Sequence, residues 1–174
     1  MPDVKLRYRI PKQTPRNWGT LYEPRAGVML HYDESGNDDG AVEWLLFDPR
    51  CKVSYNWLIL DDGTVRDVAP VEARAWHAGV CRPSEGAPHY KDANSAFYGI
   101  AVAAKHTQVA TPAQFAMVVT LCRTLFSKHG WPLTDTYRIV SHRTEAWPRG
   151  RKDDPDGAHG VVLDVEAVRK AVAS

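Results

Sequence analysis

The feature that most restricts how this chain folds is a series of short apolar runs of strand length. Helical stretches separate them irregularly, and one hairpin signal interrupts them. Val28-Met29-Leu30-His31-Tyr32 is the first run and ends in a polar, turn-forming stretch from Asp33 to Gly40. Residues 54–60 read as a second strand, Asp62-Gly63 as a tight turn and residues 64–68 as the return strand. Gly99-Ile100-Ala101-Val102-Ala103 reads as a buried strand, and residues 137–141 as a strand that delivers His142.

The helices are marked by their ends. Thr111-Pro112-Ala113-Gln114 combines an N-cap threonine, proline at the first helical position and glutamine placed for a capping box. Phe115, Val118, Val119, Cys122, Leu125 and Phe126 follow on one face, and Gly130 with Pro132 ends the run. Val42, Leu45 and Leu46 predict a short helix capped by Asp38 or Asp39 and stopped at Asp48-Pro49. Asp164 opens a last amphipathic helix with Val165, Val168 and Val172. Strands and helices in this order, with one hairpin, predict a single α/β domain whose central mixed β-sheet is flanked by α-helices. Residues 1–26, with Pro11, Pro15 and Pro24, read as an N-terminal arm or loose lead-in to a core spanning 27–174.

Composition narrows the function. The 174 residues carry a formal net charge of +1, so no electrostatic argument favours nucleic acid or a membrane surface. No apolar run approaches the ~18 residues that span a bilayer. The N-terminus lacks the apolar core of a secretory signal, which predicts cytoplasmic synthesis. A monomer is expected. Cys51, Cys81 and Cys122 form no metal or redox motif; a Cys51–Cys81 bridge is conceivable only in an oxidising compartment.

Seven histidines without a cysteine cluster direct attention to imidazole and carboxylate chemistry. His31 and His142 stand at strand ends, and Asp154 lies in the charged loop of residues 150–160. Two imidazoles and one carboxylate leave a fourth position of a tetrahedral zinc open for water. Spacing alone does not single these three out, and each histidine taken singly also fits a hydrogen-bonded or surface role.

Five blocks occur in a fixed order: residues 27–32; residues 53–59 with 62–65; Ala75-Trp76-His77-Ala78-Gly79; Asn94 through Tyr98-Gly99-Ile100; and Val140-Ser141-His142 with Gly150-Arg151-Lys152-Asp153-Asp154-Pro155. Over residues 26–157 the chain resembles the zinc-dependent N-acetylmuramoyl-L-alanine amidase family. That family includes phage amidase lysozymes, bacterial muropeptide-recycling amidases and animal peptidoglycan recognition proteins.

The resemblance implies that His31, His142 and Asp154 bind zinc, and that Lys152 stabilises the amide oxygen as it becomes anionic. It implies that Tyr55 orients water or relays a proton. It places His77 and Trp76 at the substrate, with His77 lining the cleft without touching the metal, and gives Asn94 a loop-anchoring role. His89, His106, His129 and His159 have no counterpart and are expected to be surface or structural. Recycling amidases carry a glutamate base in the Gly-Ile strand where this chain has Ala101, which favours a phage-type arrangement.

The implied activity is hydrolysis of the lactyl–L-alanine amide of peptidoglycan, in the manner of a wall-degrading, bacteriolytic endolysin. A cytosolic recycling amidase acting on soluble muropeptides is the nearest alternative. A non-catalytic peptidoglycan-binding module is a second, and a thiol hydrolase built on Cys81 and His77 a third, without motif support.

Overall fold

The computed structural model describes residues 17–157 and 160–174. Most of the N-terminal arm and His159 therefore lie outside the described residues. The elements run β1 (Trp18–Gly19), β2 (Gly27–Tyr32), α1 (Asp38–Val42), β3 (Trp57–Ile59), β4 (Val65–Asp67), β5 (Arg74–Ala75), α2 (Ala93–Ala96), β6 (Phe97–Val102), α3 (Pro112–His129), β7 (Ile139–Ser141), α4 (His142–Glu145), β8 (Asp156–Gly157), β9 (Gly160–Val161) and α5 (Val165–Ala173).

Five strands form the central sheet in the order β4-β3-β6-β2-β7. The β3–β6, β6–β2 and β2–β7 pairs are parallel, and only the β3–β4 hairpin is antiparallel. This is the mixed sheet that the strand and hairpin signals predict. β6 is buried along its whole length and β2 along nearly all of it. Central parallel strands are covered on both faces, which is why both read as continuous apolar runs.

The two faces are unequal. Val28, Leu30, Trp57, Ile59, Ile100 and Val102 pack against Val118, Cys122, Leu125 and Phe126 of α3 and Val165, Val168 and Val172 of α5. The opposite face carries two smaller clusters. One gathers Leu45, Leu46, Cys51, Tyr55, Leu58 and Ala101; the other gathers Met29, Ala78, Ala96, Phe97 and Val140. Side chains alternate along a strand, so Met29 and His31 both point to this second face.

Helix α3 starts as its sequence predicts. Thr111 Oγ1 accepts from the Gln114 N–H, the Gln114 side chain accepts from the Thr111 N–H, and Gly130 closes the helix in the left-handed conformation. Gln114 is buried and also donates to the carbonyls of Ile59 and Ala103, tying the helix start to β3 and β6. Asp164 caps α5 through the Ala167 N–H.

Three expectations need correction. The cap of α1 is Asn37, which accepts from the Gly40 N–H at 2.6 Å; Asp38 and Asp39 occupy the first turn instead. Beyond Val42 the helix widens into a π-helical turn, Glu43–Phe47, that buries Leu45 and Leu46. Residues 17–26 are not a loose lead-in. β1 pairs with β5, and the Arg25 guanidinium donates to the carbonyls of Ser95 (3.0 Å), Phe97 (2.5 Å) and Ala73 (2.5 Å) while lying 4.3 Å over the Tyr98 ring. Burial pushes the Arg25 pKa down to about 10. All three cysteines are free thiols.

Candidate metal centre

His31 stands near the carboxyl end of β2, and His142 follows the carboxyl end of β7, its parallel neighbour. Open α/β sheets place their ligand sites at such strand ends. The loop after α4 returns Asp154 to the same corner, where its carbonyl accepts from the Arg143 N–H at 2.7 Å. His31, His142 and Asp154 are all buried, and one ligand atom from each lies within 4.8 Å of the others. His31 Nδ1 is 2.8 Å from Asp154 Oδ2; His142 Nδ1 is 3.1 Å from Oδ2 and 3.0 Å from Oδ1.

The outer ring nitrogens fix the proton positions. His142 Nε2 lies 2.9 Å from the Ala78 carbonyl, which can only accept, so in the neutral ring Nε2 carries the hydrogen and Nδ1 is bare. His77 Nε2 faces the Phe97 carbonyl at 3.3 Å and must likewise donate. His77 Nδ1 is then an acceptor for His31 Nε2–H at 3.0 Å, which leaves His31 Nδ1 bare as well. Burial, against the pull of Asp154, pushes the His31 pKa down to about 4, so the ring is neutral at pH 7. Two imidazole nitrogens that are bare in the neutral rings thus converge on one carboxylate. Such a cluster can hold a cation, and an outer ring of carbonyl and imidazole partners is how proteins hold metal-binding histidines.

His77 is not on an open cleft wall as expected. It is buried, and both ring nitrogens are engaged. It sits behind His31, with its backbone and that of Ala78 clamped by Asn94 Oδ1 (2.9 and 2.8 Å). Asn94 therefore anchors the His77 segment instead of the loop before the Gly-Ile strand. Burial, and then the neighbouring imidazoles, hold the His77 pKa well below the usual histidine value. Gly99 makes the packing possible: a Cβ there would meet the His77 ring at 2.7 Å.

Tyr55 is buried with its ring centroid 5.1 Å from that of His31, and burial, reinforced by Asp154 and Asp33, holds its hydroxyl well above the ordinary tyrosine pKa. Ala101 is the register partner of His31 in β6, so the strand neighbour of this ligand offers only a methyl group. Lys152 is exposed, and its charge contributes to depressing the His31 pKa. Trp76 is half-buried, and its indole Nε1 is buried without an acceptor among the described residues.

Several supporting groups escaped the sequence reading. The Ala78 carbonyl takes hydrogens from both His142 and Arg151 Nη2 (3.0 Å). Asn56 bonds Gly99 through both backbone and side chain. Asp33, two residues beyond His31, accepts from the Ala104 N–H with Oδ1 and, among the described residues, keeps a buried Oδ2 unpartnered. A carbonyl acceptor carries no residue-type signature, and an asparagine clamp is visible only once the strands are in register.

An α/β sheet with a His-His-Asp cluster at its strand ends defines a candidate metal-dependent hydrolase. The family model described as N-acetylmuramoyl-L-alanine amidase matches residues 21–157, and the chain belongs to that family; it is an N-acetylmuramoyl-L-alanine amidase. Among solved structures, it is similar to a selenomethionine derivative of AmpD (21% identity, 93% of each chain, TM-score 0.70). It is also similar to a mutant endolysin from Bacillus subtilis (17% identity, 94% of each chain, TM-score 0.63). A third is the amidase AmiD from E. coli with its substrate anhydro-N-acetylmuramic acid–L-Ala–D-γ-Glu–L-Lys (18% identity, 95% of this chain and 61% of that one, TM-score 0.62). No curated protein sequence matches the chain.

Proposed function

We propose that this amidase is zinc-dependent, holds the ion through His31 Nδ1, His142 Nδ1 and one Asp154 carboxylate oxygen, and cleaves the lactyl–L-alanine amide of peptidoglycan as an endolysin-like enzyme. The observation that carries the reading is the convergence of two imidazole nitrogens and a carboxylate at a buried corner. Two nitrogens and one oxygen suit zinc, whose three-ligand sites leave a fourth position for substrate or water. When bound, zinc polarises the amide carbonyl and lowers the pKa of water to about 7.

The chain's own groups then divide the remaining work. Lys152, exposed and positive, supplies charge where the amide oxygen becomes anionic. The Tyr55 hydroxyl, kept protonated by burial, donates a hydrogen bond and orients the attacking water. His77 holds His31 in its metal-binding tautomer. Trp76 presents an apolar wall beside the site. With Ala101 opposite His31, no carboxylate of β6 is available as a base at that position, and this favours the endolysin-like role over muropeptide recycling.

The test is elemental analysis of the purified protein together with mass spectrometry of digests from intact sacculi and soluble muropeptides. One zinc per chain and chelator-sensitive release of peptides beginning with L-alanine, faster from sacculi, are expected. Release unaffected by complete metal removal would refute zinc dependence. Preference for soluble fragments would move the protein to the recycling role.

A further inference from the structure

Two of the three candidate ligands are fixed by neighbouring strands of the central sheet, and the third is not. His31 lies in β2, and His142 directly follows β7. Asp154 reaches the same corner from a loop. Sheet hydrogen bonds do not hold a ligand on a loop, so it needs an anchor of its own.

Asp156 supplies that anchor. Its Oδ1 accepts from the Ser141 hydroxyl at 2.6 Å and from Arg143 Nε at 3.2 Å. Ser141 and Arg143 are the residues immediately before and after His142. Ser141 is buried and is the register partner of Leu30, which immediately precedes His31. A carboxylate two residues beyond Asp154 is thus tied to the point where the segments carrying His31 and His142 meet. Hydrogen bonds to an ionised carboxylate are the strong kind, and the Asp156 side chain is only 20% exposed.

The rest of the loop closes around the same corner. The Asp154 carbonyl accepts from the Arg143 N–H at 2.7 Å. The Pro155 carbonyl accepts from the N–H groups of Val162 (3.0 Å) and Leu163 (3.2 Å). Gly157 packs so tightly on Asp153 that a Cβ there would collide with the Asp153 side chain and carbonyl. Asp156 grips the chain neighbours of His142 and therefore acts on the centre through the backbone.

Resting on the zinc reading above, we propose that Asp156 is a positioning residue: through Ser141 and Arg143 it locks the Asp154 loop to the strand ends that carry the two histidines, and so sets the affinity and coordination geometry of the metal centre. The experiment uses the full chain, stripped of metal and reloaded with zinc or cobalt(II). Competition with a chromophoric chelator measures zinc affinity. The visible spectrum of the cobalt form reports geometry, because its intensity drops when a four-coordinate site takes up further ligands. The variants are Asp156→Ala, Asp156→Asn, Ser141→Ala and the Asp156→Ala/Ser141→Ala pair, each checked for folding by circular dichroism.

Asp156→Ala is expected to bind zinc about 10- to 100-fold more weakly and to give a weaker cobalt band. Asp156→Asn keeps an acceptor oxygen without the charge and is expected to stay within about threefold of the parent. The paired variant is expected to lose no more than Asp156→Ala alone, since both changes remove one bond. Unchanged affinity and spectrum in Asp156→Ala overturn the proposal and leave the zinc reading intact. So does an Asp156→Asn variant that falls as far as Asp156→Ala, which assigns the effect to charge instead of position, and so do additive losses in the pair. If Asp156→Ala does not fold, Ser141→Ala decides in its place, and an unchanged cobalt spectrum there overturns the proposal. A parent protein that takes up neither ion overturns the zinc reading itself, before any variant is compared.

Discussion

His31 donates from Nε2 to His77 Nδ1 at 3.0 Å, and this one bond decides which nitrogen of His31 is left for a metal. Replacing His77 with Phe removes the acceptor while preserving an aromatic ring of similar size. The expected effect is a 10- to 100-fold loss of zinc affinity with the fold retained. Competition with a chromophoric chelator measures it, and circular dichroism checks the fold. Unchanged affinity would show that His77 only fills space.

Lys152 and Tyr55 act at different moments in the proposed reaction, so their variants separate in kinetics. Lys152→Ala is expected to lower kcat by roughly 10²- to 10³-fold with little change in zinc content, because it removes charge needed only as the oxyanion forms. Tyr55→Phe keeps the ring against His31 and loses only the hydroxyl, with an expected loss of about 10²-fold. Steady-state kinetics on a soluble muropeptide would reveal either variant as inert if the assignment is wrong.

Gly99→Ala tests the packing behind the centre. The added methyl would meet the His77 Cγ at 2.7 Å, and the ring is pinned by His31 and the Phe97 carbonyl. A destabilisation of about 1–3 kcal/mol is expected, as for other overpacked cores. Metal affinity should fall with it. Denaturant unfolding of the metal-free variant measures the first effect, and no change in midpoint would contradict the close approach.

Acid should weaken the metal-free protein through its buried imidazoles. In the folded chain His31 titrates at about 4 and His77 well below its usual value, both chiefly because burial disfavours the charged ring. The unfolded chain takes up those protons near pH 6.5. The unfolded state therefore binds more protons as pH falls, so this stability is whole above pH 6.5 and is lost progressively toward pH 4. Thermal midpoints in chelator across that range check the slope. A flat profile would mean that these rings are solvated.

Much of this was legible in the residues. The hairpin at Asp62-Gly63, the capping box at Thr111 and Gln114, and the apolar runs around His31 and Ile100 each report a local rule, and local rules survive folding. What was hidden depends on register. Nothing in the string places His77 behind His31, because that follows from Asn94 gripping its backbone and Gly99 leaving room for its ring. Asp38 and Asp39 read as caps, yet the cap is Asn37, and Asp38 instead accepts from the Asp61 N–H. Residues 17–26 look loose by composition, yet Arg25 finds five carbonyls, of Val71, Ala73, Asn94, Ser95 and Phe97, that only the assembled chain presents.

The three acceptors come from positions 31, 142 and 154, and the strand carrying the first is flanked in the sheet by the strand preceding the second. During synthesis the early histidine must therefore wait, without a competent partner, while more than a hundred further residues emerge. Capture of an ion by all three groups would then be a late event that records completion of the sheet edge.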